Sequence, residues 1–384
     1  MPCVVARRRA RPAGGKGAHL EEYSAESIVV LRGLEAVRRR PGMYIGGLGD
    51  DGMHELLWQV IGHAVDAHLH GGASYVRVAI DGEVISVEDD GDGIPVDRAP
   101  HQPETTLLEI AMTTLYAGGW RAAIHDQARS GLHGLGWPVV NALSDRFDVE
   151  VWRDGHHHQQ NYARGVTLGP PRDLGPTQRT GTRIAFRPDR SIFGPRVWNR
   201  SAIARRLREI AATCPALTTI LDHDAMRYPD GIADHARYLA ADARPIAAPV
   251  RITGVRDDVA IDIALLWTSA GCGRTCGFVE TQPVRTGTHI RGLADGLLAA
   301  FIALDAGRFG GVHAAAFVER IGRGLVAVVH VTLCSPTFRR IGREELANQE
   351  VQPAVAALVA AELHRRLLDD GALREQLLAR MSPG

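Results

Sequence analysis

Glu88-Asp89-Asp90-Gly91-Asp92-Gly93-Ile94-Pro95 sets two carboxylates at the end of an alternating apolar segment and follows them with glycines. Just upstream, Tyr75-Val76-Arg77-Val78-Ala79-Ile80 and Val84-Ile85-Ser86-Val87-Glu88 alternate with period two and join through Asp81-Gly82, which predicts a β-hairpin. The acidic turn therefore lies at a strand end, where glycine lets a ligand approach the backbone closely. A solvated acidic turn accounts for the same residues equally well. Before the hairpin, Leu56, Leu57, Val60, Ile61, Ala64, Val65 and Leu69 recur at three- and four-residue spacing and predict a helix over 53–69 with one apolar stripe. Glu55, Gln59 and His63 are spaced by four on a second stripe, free to face a site.

Further along, Ser130-Gly131-Leu132-His133-Gly134-Leu135-Gly136 opens a helix over 137–143, an arrangement that turns backbone N–H groups toward a phosphate. Such loops also serve packing. Helices are expected over 105–116 and 198–213, and strands over 147–153, 159–163 and 181–187. The pattern changes at Pro229-Asp230-Gly231. A second mixed unit follows, with strand Val259 to Trp267, helix Leu293 to Leu304, strand Gly324 to Leu333 and a closing helix over about 344–369. The fold class expected is α+β in two domains.

Composition bounds the partners. The 384 residues are 45% hydrophobic, enough for two or three packed domains, and 44 basic side chains balance 44 acidic ones, so no overall field draws the chain to nucleic acid or an anionic membrane. All the basic residues except Lys16 are arginine. Met1 to Lys16 reads as a disordered basic tail without the apolar core of a signal peptide, and DNA contact is its minority reading. No apolar run reaches the roughly 18 to 20 residues of a membrane span. The five cysteines lack zinc or redox spacing and read as free thiols, and His156-His157-His158 reads as decoration of a hairpin tip rather than a metal site.

The order of motifs decides the family. Arg40-Pro41-Gly42-Met43-Tyr44-Ile45-Gly46, a helix, Asp89 to Pro95, Leu132 to Gly136 before Val140-Asn141-Ala142-Leu143, and Thr180-Gly181-Thr182 together resemble the ATP-binding domain of DNA gyrase B and topoisomerase IV, the GHKL (Bergerat) fold shared with Hsp90, MutL and histidine kinases. Gly287-Thr288-His289-Ile290 and Gly324 to Val329 resemble the transducer domain of that family. The resemblance implies a GHKL α/β sandwich over 23–229 and a ribosomal-protein-S5-like transducer over 230–384, behind a tail at 1–22. It implies that Asp89 accepts from an adenine amino group, Thr182 supports that contact, Ile94 and Pro95 wall the base beside Gly93, and Leu132, His133, Gly134, Leu135 and Gly136 wrap the phosphates. Gly119 belongs to the lid, Tyr23 to an arm that crosses to a partner copy, and Arg343 to the loop that reaches the γ-phosphate. A homodimer in the cytoplasm is the family expectation. The chain ends where the family's Toprim domain would begin, so DNA cleavage is not expected of it.

Four positions break the pattern. The family's helix supplies a glutamate that activates water and, four residues on, an asparagine that holds Mg²⁺; here Gln59 and His63 stand there. An amide cannot take a proton from water, and loss of a general base costs about 10² to 10⁴ in rate. Mg²⁺ prefers oxygen ligands, so His63 suits it poorly. Trp120 replaces the lid lysine, and Ile341-Gly342-Arg343 stands for a Gln-Thr-Lys loop. The expectation is a repurposed pseudo-ATPase: an adenine-nucleotide or small-molecule pocket without a bound metal, serving a biosynthetic reaction or a regulator; the Glu55, Gln59 and His63 stripe reads equally as a solvated polar face or as a site in which Glu55 and His63 form a new acid/base pair. The alternative is a slow ATP-dependent dimer clamp, with Glu55 as its base through water.

Overall fold

The computed structural model describes residues 3–6, 28–31, 33–100, 102–115, 136–269, 273–312, 314–339 and 343–380. Contacts divide it into two compact units that meet in sequence at Trp198 and Asn199, upstream of the change in pattern at 229–231.

In the first unit, helix α1 (Asp50–Leu69) begins with Asp50 and Asp51, acids that favour the positive end of a helix, and stops before Gly71, whose φ of 85° a helix does not allow. The strands are β1 (Tyr75–Asp81), β2 (Val84–Asp89), β3 (Ser144–Arg153), β4 (His156–Ala163), β5 (Arg172–Pro176) and β6 (Gly181–Pro188). They run antiparallel in the order β5-β4-β3-β6-β2-β1. Alternation puts Val76, Val78, Ile85, Val87, Phe147, Val149, Val151, Ile184 and Phe186 into one buried face, and α1, with Leu56, Leu57, Val60, Ile61, Ala64 and Val65 buried, packs against β1 and β2. Helices α2 (Leu107–Thr113) and α3 (Gly136–Ala142) pack against each other, and α3 also packs against α1. The buried amide of Asn141 locks this corner, donating to the Met112 carbonyl at 2.9 Å and accepting from the Gly165 N–H at 3.2 Å.

In the second unit, helix α4 (Arg200–Thr213) is capped by Asn199, which accepts from the Ala202 N–H at 3.0 Å. A five-stranded sheet holds β7 (Val250–Arg256), β8 (Val259–Trp267), β9 (Arg274–Val279), β10 (Gln282–Pro283) and β11 (Leu325–Thr332) in the order β7-β8-β11-β9-β10, with β9 parallel to β11. Helices α5 (Thr288–Leu304) and α6 (Val351–Asp369) press together through Gly292 and Gly296, where an added Cβ would come within 2.6 Å of the Gln352 carbonyl and 2.7 Å of the Ala356 carbonyl. This is the α+β arrangement expected, a GHKL sandwich followed by a transducer-type unit.

Two local expectations differ from what is observed, and one helix has no counterpart among them. The closing helix starts at Val351 rather than near 344, because Glu345–Leu346 is taken up as a strand between Thr286–Gly287 and Phe338–Arg339. A further helix, α7 (Gly371–Arg380), follows it and buries Leu373 and Leu377. Cys3–Ala6, within the stretch expected to be a disordered tail, instead pairs antiparallel with Ile28–Leu31, one short β-branched run meeting another. Among the described residues no helix is long and apolar enough to cross a membrane.

Candidate functional site

The site is built where β2 ends beside β6. Thr182 stands opposite Asp89 in the ladder, and Gly181 comes so near that an added Cβ would lie 2.0 Å from the Asp89 carbonyl oxygen. Beyond Asp89 the chain turns sharply, and the Gly91 N–H donates to the Asp89 carboxylate at 3.0 Å. Asp90 faces the other way: its carboxylate accepts from the Ser74 N–H at 2.7 Å, the Tyr75 N–H at 3.0 Å and the Ser74 hydroxyl.

These two neighbouring acids are driven in opposite directions. Burial pushes Asp89 up to about 7, and the N–H groups of Gly91 and Thr182 only partly oppose it. Burial also acts to raise Asp90, but the bonds from Ser74 and Tyr75 outweigh it and hold this carboxyl below its usual range. Asp90 is thus a fixed anchor of the turn, and Asp89 is the acid with acceptor capacity to offer.

The rest of the turn is held from across the sheet. Gly93 has a φ of 74°, and its carbonyl accepts from the Arg153 guanidinium at 2.7 Å. The buried Ile94 donates its N–H to the Thr182 hydroxyl at 3.3 Å, so Asp89, Ile94 and Thr182 meet although 88 residues separate the last two. Pro95 follows directly. That is a carboxylate, a hydroxyl and an apolar wall in one place, suited to a flat ligand carrying an amino group.

Helix α1 carries the site onward. A Cβ at Gly91 would lie 3.0 Å from the Asp89 carboxylate and 3.3 Å from the Ala67 Cβ, so Ala67 borders the acidic turn. Toward the start of the helix, His63, Gln59 and Glu55 follow on the same stripe at intervals of four residues, about 6 Å of helix each. The Gln59 amide donates to the Glu55 carboxylate at 2.6 Å. The His63 ring stacks on Trp137 with centroids 3.9 Å apart and planes 35° from parallel. Gly136 fits against both side chains: a Cβ there would sit 2.6 Å from His63 Nε2 and 3.4 Å from Gln59 Oε1.

Of the other residues singled out from sequence, Tyr23, Gly119, Trp120, Leu132, His133, Gly134, Leu135 and Ile341 lie outside the described residues. Arg343 belongs to the second unit, with its guanidinium 5.7 Å from the Phe338 ring centre. The three consecutive histidines begin β4 rather than sitting in the Asp154-Gly155 turn; His156 pairs with Asp173 at 2.8 Å and His157 with Glu150 at 3.1 Å. Sequence reasoning passed over Trp137 and Arg153. The only local signal for Trp137 was a large ring directly after a glycine.

Comparison with known proteins agrees with this geometry. Residues 49–192 match the family model described as histidine kinase-, DNA gyrase B- and HSP90-like ATPase, and residues 231–382 match the model for DNA gyrase B. The chain is 35% identical to DNA gyrase B of Archaeoglobus fulgidus over 375 residues, covering 93% of this chain and 58% of that one. It is 35% identical to the DNA topoisomerase 4 B protein of Caulobacter vibrioides over 365 residues, covering 88% of this chain and 52% of that one. This chain therefore spans little more than half the length of these relatives. Among solved structures, the 43K ATPase domain of Thermus thermophilus gyrase B, in complex with an aminocoumarin, superposes with a TM-score of 0.73 at 31% identity, covering 90% of this chain and 93% of that one. In sequence and in fold, this chain belongs to the DNA gyrase B and topoisomerase IV B family, with a GHKL ATPase-type domain followed by the gyrase B domain.

Proposed function

We propose that this protein binds an adenine nucleotide through its gyrase-B-type pocket and does not turn it over, a family member repurposed from ATP-driven work to ligand binding. One observation carries the reading: the Asp89, Thr182 and Ile94 constellation is complete, while the adjoining stripe of α1 presents an amide at Gln59 where water would have to be activated. Asp89 would accept from the base amino group, the Thr182 hydroxyl would hold Ile94 against the base, and Gln59 has no proton-accepting nitrogen or carboxylate to offer. In this reading the binding domain runs over 23–229 and the transducer over 230–384, and the protein works as a cytoplasmic homodimer.

Mg²⁺ does not fit the donors at hand. At His63 an imidazole stands where the resemblance implies an amide oxygen, and a hard cation seeks oxygen ligands. No step of the reading passes through one.

The test is a titration of the whole chain with ATP, ADP and a non-hydrolysable analogue, paired with a phosphate-release assay. All three are expected to bind, with phosphate release at the buffer background. A slow ATPase is the second reading, favoured by the Gln59 bond that points the Glu55 carboxylate along the stripe. Phosphate release that Glu55→Ala abolishes would establish that reading; release absent in both proteins would remove it.

A further inference from the structure

Among the described residues, Trp137 is the large side chain at this site that the ordered motifs did not single out, and it touches the residue standing in the metal-ligand position. The His63 imidazole is clamped. One face lies on the Trp137 indole at 3.9 Å between centroids. Its Nε2 edge is pressed toward Gly136, where even a methyl group would come within 2.6 Å, and Gln59 Oε1 lies 3.4 Å from the same point. Helix α3, which supplies both Trp137 and Gly136, is itself held by Asn141, which donates to the Met112 carbonyl at 2.9 Å. The clamp sits one helical turn from Ala67 and the acidic turn, within the length of a single nucleotide.

We propose that Trp137 is a specificity-determining residue: its stack on His63 closes the metal position, so the pocket takes its adenine nucleotide as the metal-free anion. This rests on the adenine-nucleotide reading above. It has a consequence for ligand class. A bound cation is ordinarily the largest local charge beside a polyphosphate, and without one each added phosphate brings negative charge that no metal offsets. Affinity should then come from the base and sugar, and ATP should bind no better than ADP.

The experiment is calorimetric titration of the full chain with ADP and with ATP, each in EDTA and in excess Mg²⁺, for the wild type and for Trp137→Phe, Trp137→Val, His63→Asn and the Trp137→Val/His63→Asn double variant. All proteins are first checked for folding by circular dichroism. For the wild type the four affinities are expected within about threefold of one another, and Trp137→Phe, which keeps a ring on His63, should match it. The double variant, with the clamp gone and an oxygen ligand in place, should gain about tenfold or more in ATP affinity from Mg²⁺, well beyond His63→Asn alone. The ring stack has its own readout: His63→Ala should change the tryptophan emission of the wild type but not that of Trp137→Phe. Wild-type affinity raised about tenfold by Mg²⁺ would overturn this proposal and leave the nucleotide reading standing. A double variant that responds to Mg²⁺ no more than His63→Asn would remove Trp137 from the explanation. A folded wild type that binds neither nucleotide in any condition would overturn the underlying reading and this proposal with it.

Discussion

Asp89→Asn is expected to weaken adenine-nucleotide binding by about 100-fold while making the protein more stable above neutral pH. The loss follows from exchanging an ionised acceptor for an amide that presents a donor of its own: a hydrogen bond to a charged group is worth about 1.5 to 3 kcal/mol. The gain follows from burial. Asp89 titrates near 7 in the folded protein against 3.8 for a free aspartate. Between those values the folded chain holds a proton that the unfolded chain has released, so stability falls as pH rises from about 4 to about 7 and is level above it. At about 1.4 kcal/mol per pH unit, that window sets an upper limit of about 4 kcal/mol on the penalty of keeping the carboxylate buried at pH 8. Asparagine has no such charge, and its carbonyl can still accept from the Gly91 N–H. Urea denaturation at about pH 4 and about pH 8 checks this: the variant and wild type should have similar midpoints at the lower pH and diverge at the higher, with the variant ahead. Equal midpoints at both would mean that Asp89 is not held against its charge. Nucleotide affinity of the wild type should strengthen as pH rises through about 7, where the carboxylate becomes the better acceptor.

Gly181→Ala is expected to cost more than about 3 kcal/mol of stability and to abolish binding. Two causes act at once. The φ of 125° is one that a side chain rarely adopts, a strain of about 1 to 3 kcal/mol, and the new methyl would lie 2.0 Å from the Asp89 carbonyl oxygen. That neighbour is backbone held in the ladder with Thr182, so relief requires the strands to part, and overpacking of this kind adds about 1 to 3 kcal/mol. Gly155→Ala is the control. It has a φ of 81° but nothing within 4 Å of the added carbon, so only strain remains, about 1 kcal/mol. Thermal melts should place Gly181→Ala far below both Gly155→Ala and the wild type. If the two variants melt together, the close approach at Asp89 is not what requires glycine at 181.

The physical division between these predictions is also the division between what is legible in the chain and what is not. Helix α1 and the β1–β2 hairpin can be read because their signals are local: an apolar residue every three or four positions, strict alternation, and Asp81-Gly82 at the turn. The closing helix starts later than periodicity predicts because Glu345–Leu346 is claimed by Thr286–Gly287, a partner some sixty positions away that a local pattern does not register. At the site, the order of the glycine-rich motifs identifies the family, and spacing by four places Glu55, Gln59 and His63 on one stripe. Apart from the resemblance, which assigns Asp89 as the acceptor, nothing in the residue types of Asp89-Asp90 tells which acid will be the anchor. That depends on Ser74 and Tyr75 reaching one carboxylate while burial strips water from the other.

The sequence alone therefore determined the family, the two-part α+β architecture and the spacing that sets the Gln59 amide on one helix stripe with Glu55 and His63, because each is written in residue type, order or period. Only the tertiary structure decided that the Thr182 hydroxyl supports Ile94, that Asp89 is the poised acid, and that Trp137 clamps His63 against Gly136. Those outcomes depend on distances across the fold and on solvent exclusion, and a linear pattern carries neither.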